Sequence, residues 1–361
     1  MTAPRTAAHK LSCPACGGEA EWNPSQQALV CPYCGTKSPA DLKETTAGDP
    51  TIIEHDLGRA LRGISDEERG WQAEKTSVRC QSCQAISVFE AKNVSQACDF
   101  CGATALVPQA DEKDPFRPET LLPMKVSQHQ VRAIAKKWYG SRFWAPSSLR
   151  KKALTDKLHG VYLPYWTFDA QVEASWHADS GTYYYETQRV NGKNVSVRRT
   201  RWRPTSGHVS HFFDDELVAA SKGVHQDLLS QVEPFDTTEL ELYDAKFLSG
   251  WVVERYQIDL ISAAQASRAK MEVKLRRMCS SDIPGDTYRN LHVAPEYAAQ
   301  TFKHVLVPIW LLSYRYGTRN FQVVINGHSG KIAGEAPTSW LKVAFAIAMA
   351  VCVLILFLRF V

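Results

Sequence analysis

The sequence predicts an α+β protein in which an antiparallel sheet is covered on one side by helices, placed between a cysteine-rich N-terminal part and an apolar C-terminal helix. Three observations carry that prediction: four Cys-x-x-Cys pairs before residue 102, an aromatic strand-like segment that occurs twice in the middle, and an unbroken apolar run at the end. With 361 residues, 44% of them hydrophobic, the chain is long enough for two or three domains with real cores. A net charge of +4 is mild over this length, so composition alone implies neither nucleic acid nor an anionic membrane as partner.

Cys13-Pro-Ala-Cys16-Gly and Cys31-Pro-Tyr-Cys34-Gly form one set, and Cys80-Gln-Ser-Cys83 with Cys98-Asp-Phe-Cys101-Gly forms a second at the same internal spacing. A Cys-x-x-Cys turn puts two thiolates on one side of a tight knuckle, and two facing knuckles supply the four sulfurs of a tetrahedral Zn²⁺ site. Residues 1–10 hold no apolar signal segment, which predicts a cytosolic body and favours metal ligation over disulfides. The expected ligands are therefore Cys13, Cys16, Cys31 and Cys34 for one ion, and Cys80, Cys83, Cys98 and Cys101 for the other. Four thiolates close the coordination sphere, so both ions are expected to be structural. Gly17, Gly35 and Gly102 follow the second cysteine of a knuckle, where positive φ is expected. Between knuckles, 19–30 and 85–97 each read as two short strands, turning at Asn23-Pro24-Ser25 and at 91–93. Each module is too small for a useful core, so metal is expected to supply its folding free energy. Cys279 and Cys352 stand alone and read as core or lipid-facing thiols.

This places zinc ribbon 1 at 8–40, a linker with a short helix at 41–75, and zinc ribbon 2 at 76–108. In the linker, 54–64 reads as helix, and Ser65 with Glu68 forms a capping box in a charged connector that runs to Trp71. The acidic, proline-marked stretch 111–118 separates the ribbons from an α+β domain at 119–338.

Within that domain, Ser127 and Gln130 form a capping box, and Val131, Ile134, Ala135 and Trp138 share one face of a helix that ends at Gly140. A second helix is expected from Ser147 to Leu158. The segment from Val161 to Ala170 is aromatic and strand-like, with Pro164 suited to an edge or a bulge. A related segment runs from Val305 to Tyr314. Aligning Pro164 with Pro308 also aligns Trp166 with Trp310 and Val161 with Val305, and Asn191-Gly192 and Asn326-Gly327 follow as hairpin turns. The pattern predicts an internal duplication, with helices between the copies. One of them spans 256–278, with Ile258, Ile261, Ala264, Met271, Leu275 and Met278 inward and Arg268, Lys270, Lys274, Arg276 and Arg277 on a basic face that is either solvated or in contact with anionic lipid.

The chemistry-bearing motifs are few. The stretch 327–332 has the wrong spacing for a nucleotide-binding P-loop, and nucleophile-elbow, zincin and dinucleotide fingerprints are absent, so no enzyme, and in particular no helicase, is expected. His208, His211, Asp214, Asp215 and Glu216 could act as ligands or as acid and base. On a strand, however, the two histidines point to opposite faces, and the stretch reads better as a surface hairpin followed by an acidic helix start. Arg198, Arg199, Arg201 and Arg203 beside Trp202 and Tyr183 to Tyr185 form a basic aromatic ribbon, fit either to dock on a protein or to grip phosphate and stack bases.

The tail, Val343 to Leu358, is wholly apolar between Lys342 and Arg359. With the flanking residues and snorkelling cations it is long enough for a hydrocarbon core of roughly 30 Å, so 341–361 is expected to cross a membrane with Trp340 at the interface.

The two Cys-x-x-Cys sets, the stretch from Leu158 to Ala170, and Val307-Pro308-Ile309-Trp310 through Lys331 resemble a bacterial family of membrane-anchored, TFIIB-type zinc-ribbon proteins, often labelled primosomal helicase-like. The likeness covers nearly the whole chain, although the second ribbon lacks the proline after its first cysteine. It implies partnership with flotillin-like (SPFH-domain) proteins and the phage-shock membrane-stress system. The expected protein is thus a non-enzymatic, single-pass adaptor on the cytosolic side of the bacterial inner membrane, with room for an oligomer. The alternative is a nucleic-acid-binding zinc-ribbon protein of replication or transcription.

Overall fold

The computed structural model describes residues 11–38, 52, 54–62, 75–90, 97–109, 116–146, 158–190, 193–316 and 319–360. The Ser65 capping box, the turn at 91–93, residues 111–115 of the acidic stretch 111–118, the helix expected over 147–158 apart from Leu158, which is strand, and the Asn191-Gly192 turn lie outside these residues.

The chain is mixed α+β. Strands β1 (Leu11–Ser12), β2 (Glu19–Asn23), β3 (Ala28–Val30) and β4 (Lys37–Ser38) make a small sheet of their own. A twelve-stranded sheet takes β5 (His55–Asp56), β6 (Lys75–Cys80), β7 (Ile86–Glu90), β8 (Leu106–Gln109), β9 (Thr120–Leu121), β10 (Leu158–Val190), β11 (Lys193–Ala219), β12 (Glu241–Leu242), β13 (Val252–Glu254), β14 (Thr287–Tyr316), β15 (Arg319–Asn326) and β16 (Ile332–Gly334). The α-helices are α1 (Leu57–Arg62), α2 (Gln128–Ser141), α3 (Gln226–Val232), α4 (Ala245–Leu248), α5 (Leu260–Asp282) and α6 (Trp340–Phe360).

The two long strands β10 and β14, of 33 and 30 residues, form the framework. They lie antiparallel, and the segments aligned through their prolines face one another: Tyr162 opposes Pro308, and Leu306 opposes Pro164. On its other side each strand changes neighbour at its proline. β10 pairs in parallel with β13 at Val161 and Tyr162, then antiparallel with β11 from Tyr165 onward. β14 does the same, with β9 at Val305 and Leu306 and with β15 from Ile309. A position between two neighbours is where a residue without an N–H is best tolerated in a sheet.

The equivalence extends to the helices. Buried Trp166 donates its Nε1–H to Ile258 O at 2.9 Å, and buried Trp310 donates to Val126 O at 2.8 Å. Those carbonyls directly precede Asp259 and Ser127, the N-caps of α5 and α2. Ser127 and Gln130 form the expected capping box, and Val131, Ala135 and Trp138 are buried as expected, joined by Tyr139. Asp259 Oδ1 accepts from Ser262 N at 2.9 Å. In α5 the buried residues are Leu260, Ala263, Ser267, Met271, Leu275 and Cys279, whereas Ile261 is 58% exposed. The expected phase counted Ile258, which precedes the cap and does not share the helical period. The basic side of α5 straps the sheet: Lys270 Nζ donates to Leu217 O at 2.6 Å, Arg276 to Leu291 O at 3.1 Å, Lys274 pairs with Glu216, and Arg268 lies over Tyr297.

Helices were expected on one face only, but both faces are covered. On one, Trp310, Leu312 and Val323 pack with α2, while Phe168, Val172 and Trp176 pack with α5. On the other, Val161, Leu163, Val307 and Ile309 pack with Leu228, Leu229 and Val232 of α3 and with Cys80, Cys98 and Phe100 of the second cysteine set. The main sheet therefore crosses the expected boundary between 76–108 and 119–338, because Val253 and Glu254 of β13 pair with Val88 and Ser87 of β7. The first cysteine set keeps a separate sheet but is docked on the body: Trp22 N donates to Ser249 O at 3.0 Å, and Trp22 lies edge-on to Phe247 at 4.6 Å. Beyond Gly181, past the start of β14, strands β10 and β11 continue together as a projecting ribbon.

Candidate metal centres and the surfaces around them

The four knuckles share one backbone pattern. The residue after each second cysteine donates its N–H to the carbonyl of the first cysteine: Gly17 to Cys13, Gly35 to Cys31 and Gln84 to Cys80 at 2.9 Å, and Gly102 to Cys98 at 2.8 Å. Closing the turn this way requires left-handed backbone, and φ is +71° at Gly17, +73° at Gly35 and +73° at Gly102. Gln84 takes the same conformation at +65° with a side chain in place. A non-glycine residue there costs on the order of 1 kcal/mol. Gln84→Gly is therefore expected to stabilise the protein by up to about 1 kcal/mol, less whatever the Gln84 Nε2 to Gln81 O hydrogen bond contributes. Gly17→Ala should have the opposite sign; denaturant midpoints of the two variants check the pair.

The sulfurs converge. In each set one ligand atom per cysteine lies within 4.8 Å of all the others. Closest approaches are 3.6 Å for Cys13–Cys34, 3.5 Å for Cys16–Cys31, and 3.6 Å for both Cys80–Cys101 and Cys83–Cys98. Metal–sulfur bonds of about 2.3 Å in a tetrahedron separate the sulfurs by roughly 3.8 Å, so both sets fit a tetrathiolate ion such as zinc. The first set has Cys16 and Cys34 exposed; in the second, Cys80 and Cys98 are buried and Cys83 and Cys101 half-buried. Thr36 Oγ1 sits 3.1 Å from Cys34 Sγ, and the hydrogen bond between them pulls the Cys34 thiol down to about 6. Cys83 is held above the ordinary thiol range by Cys101 and Cys98 at its side. A cation between the four sulfurs would relieve that repulsion.

A buried acid borders the second set. Glu254 pairs with Ser87 of β7; its Oε1 accepts from Gln257 Nε2 at 2.7 Å, while Oε2 is buried without a hydrogen-bond partner. Burial raises its pKa from 4.5 to about 8. Between those values the folded chain keeps a proton that the unfolded chain has released, so stability falls as pH rises through this window and levels off above it. Glu254→Gln is expected to remove the fall, which has a slope approaching about 1.4 kcal/mol per pH unit at its steepest. Urea midpoints of the variant and the parent across this range should diverge steadily with pH; parallel curves would count against a buried neutral acid.

The other chemical cluster assembles only in its acidic part, where Asp214 and Asp215 each bring an oxygen within 4.8 Å of one on Asp169. His208 lies on the sheet face away from α5, with Nε2 2.6 Å from Glu173 Oε2, whereas His211 turns to the other face against Phe213. Asp214, Asp215 and Glu216 do not start a helix: β11 runs on to Ala219, with Asp214 and Asp215 in a bulge between the Phe213–Ala170 and Glu216–Phe168 pairs and Asp215 at φ +48°. Buried Glu216 is taken by Lys274. Asp215 instead joins a group that sequence reasoning did not single out. Its N–H donates to Asp169 Oδ1 at 2.7 Å, and Lys303 Nζ lies 2.9 Å from Asp215 Oδ1 and 3.0 Å from Glu54 Oε1. These residues lie far apart in the chain and meet only because β10 pairs with both β11 and β14 and β5 pairs with β14, so no local motif marks them.

On the projecting ribbon Arg198, Arg199 and Arg201 are engaged by their own neighbours. Arg198 stacks over Tyr183 at 4.4 Å, Arg201 over Tyr184 at 5.3 Å, and Arg199 Nε is 3.5 Å from Glu186 Oε2. At the other end of the chain, the 20 residues from Trp340 to Arg359 are apolar and long enough to cross a membrane, and none of that span is buried against the body.

No family model and no solved structure matches the chain. It is similar to the uncharacterized protein YdjG of Bacillus subtilis (strain 168), with 24% identity over 237 residues, 63% of this chain and 66% of YdjG, so it spans just under two thirds of that relative's length.

Proposed function

We propose that the protein is a non-enzymatic membrane adaptor: two zinc ribbons and an internally duplicated α+β body held at the cytosolic face of the bacterial inner membrane by α6, recruiting partner proteins of the SPFH or phage-shock type. The observation that carries this reading is the joining of a closed, docked pair of tetrathiolate modules to an apolar helix that finds no cover on its own body. Four thiolates around each ion leave no position for substrate, so the metal's role is to hold surfaces in place. The matching partner changes at Pro164 and Pro308 and the matching Trp166 and Trp310 bonds support duplication, because unrelated segments have no reason to share both. Arg198 and Arg201, stacked on Tyr183 and Tyr184, favour a protein-docking role for that arm over stacking of nucleic-acid bases.

The test has two parts. Full-length protein should stay with membranes after an alkaline wash, and a chain ending before Trp340 should not. A co-expressed SPFH-domain protein should be retained from detergent extract by the zinc-loaded chain and released by a chelator. If no protein is retained in either metal state, the adaptor reading fails even if the helix inserts.

A further inference from the structure

The body does not hang from α6 on a free tether. Tyr314 Oη donates to Glu335 O at 2.9 Å, Glu335 N donates to Gln322 O at 3.0 Å, and Pro337 is buried, so the chain is fixed to the sheet within a few residues of the helix. The start of α6 is then fastened to a second segment, the turn that follows α2. Ser339 N donates to Trp144 O at 2.7 Å, and Lys342 Nζ donates to Phe143 O at 2.9 Å and Ala145 O at 2.7 Å. Lys342 was expected to snorkel to headgroups; its ammonium is instead taken by these carbonyls.

What the turn presents outward is aromatic. Phe143 is 70% exposed and Trp144 47% exposed, next to Trp340 at 81% and Leu341 at 85%. Two large rings left in water beside the mouth of an apolar helix are costly unless they have another medium. Aromatic rings are the side chains favoured at the boundary between headgroups and hydrocarbon. The charges nearby suit the same surface: α2 carries exposed Arg132, Lys136 and Lys137 and no acidic residue, and Arg142 lies 4.8 Å over the Trp138 ring.

We propose that Phe143 and Trp144 form a second membrane contact, a monotopic aromatic wedge that enters the interface of the leaflet holding the N-terminal end of α6, with the basic side of α2 over anionic headgroups. The wedge rests on α6 being a membrane span. Its consequence is a fixed orientation: the end of the sheet where α2 packs faces the lipid, and the ribbon made by β10 and β11 projects from the opposite end, because β10 runs from Leu158 beside Leu312 to Val190 at the ribbon tip.

Site-directed photo-cross-linking of the full chain in liposomes of phosphatidylethanolamine and phosphatidylglycerol tests the wedge separately from the span. p-Benzoylphenylalanine is placed in turn at positions 143, 345 and 185, that is at the wedge, in α6 and at exposed Tyr185 on the ribbon, and cross-linked lipid is measured. The expected result is lipid on 143 and 345, and loss of cross-linking to background at 185. Lipid on 345 with none on 143 overturns the wedge and leaves the span standing. A yield at 143 no higher than at 185 also overturns it, and absence of lipid from 345 removes the span and the wedge together.

Discussion

Cys98→Ser is expected to unfold most of the body, whereas Cys13→Ser should release one metal ion per chain and leave the main unfolding transition in place. The asymmetry comes from where the two sets sit. Cys80, Cys98 and Phe100 pack in the same apolar cluster as Leu163, Ile309 and Leu229, and β6, β7 and β8 belong to the main sheet. A structural zinc site contributes on the order of 10 kcal/mol to the folding of its module, comparable to the whole net stability of an ordinary domain. Losing it beneath the sheet leaves one buried and two half-buried thiols without their ion and removes the support of β13. The first set has its own four-stranded sheet and meets the body mainly through Trp22, Phe247 and Ser249. Its loss should cost the body no more than a few kcal/mol, the value of burying one large aromatic. Metal content per chain by mass spectrometry, with thermal unfolding by circular dichroism, checks both variants. A Cys98→Ser protein that melts like the parent would show that the second set is peripheral.

Trp166→Ala and Trp310→Ala should each destabilise the protein by about 3–5 kcal/mol, the range for removing a large buried aromatic side chain. Each ring is fully buried, and each also holds the carbonyl that leads into a helix cap. The milder Trp→Phe changes separate these contributions. They keep most of the apolar area and lose the indole N–H, leaving Ile258 O or Val126 O without its donor at a cost of roughly 1–3 kcal/mol. The loss should be local: faster amide exchange in the first turn of α5 for Trp166→Phe, and of α2 for Trp310→Phe. Equal exchange in both helices for both variants would contradict the assignment of one indole to each cap.

How much of this was legible in the chain depends on the range of the interaction. The knuckles were, because a Cys-x-x-Cys turn and the glycine after it are fixed by bonds within five residues; Gln84 shows that the backbone demand persists even where the glycine does not. The cap of α2 was legible for the same reason, with Ser127 and Gln130 only three apart. The pairing of the repeated segments was half legible. The shared Pro and Trp align the two segments in sequence, but nothing local says that they lie against each other or that β10 runs for 33 residues. The phase of α5 was misread at Ile261, since a helix with small residues at Ala263 and Ser267 on its buried side has a weak apolar period, and the sheet beneath it selects the face.

By itself, then, the sequence determined which eight thiols could share metal, where α2 begins, and that the last helix is apolar without a break from Val343 to Leu358. Tertiary structure alone decided that the second cysteine set is part of the main core, that His208 and His211 point to opposite faces while Asp214 and Asp215 gather with Asp169, and that Lys342 clamps the Phe143–Trp144 turn to the start of α6. The first group rests on contacts between near neighbours and on composition. The second rests on strand register, where a shift of one residue turns every side chain to the opposite face, and register is set by the whole sheet rather than by any one stretch of chain.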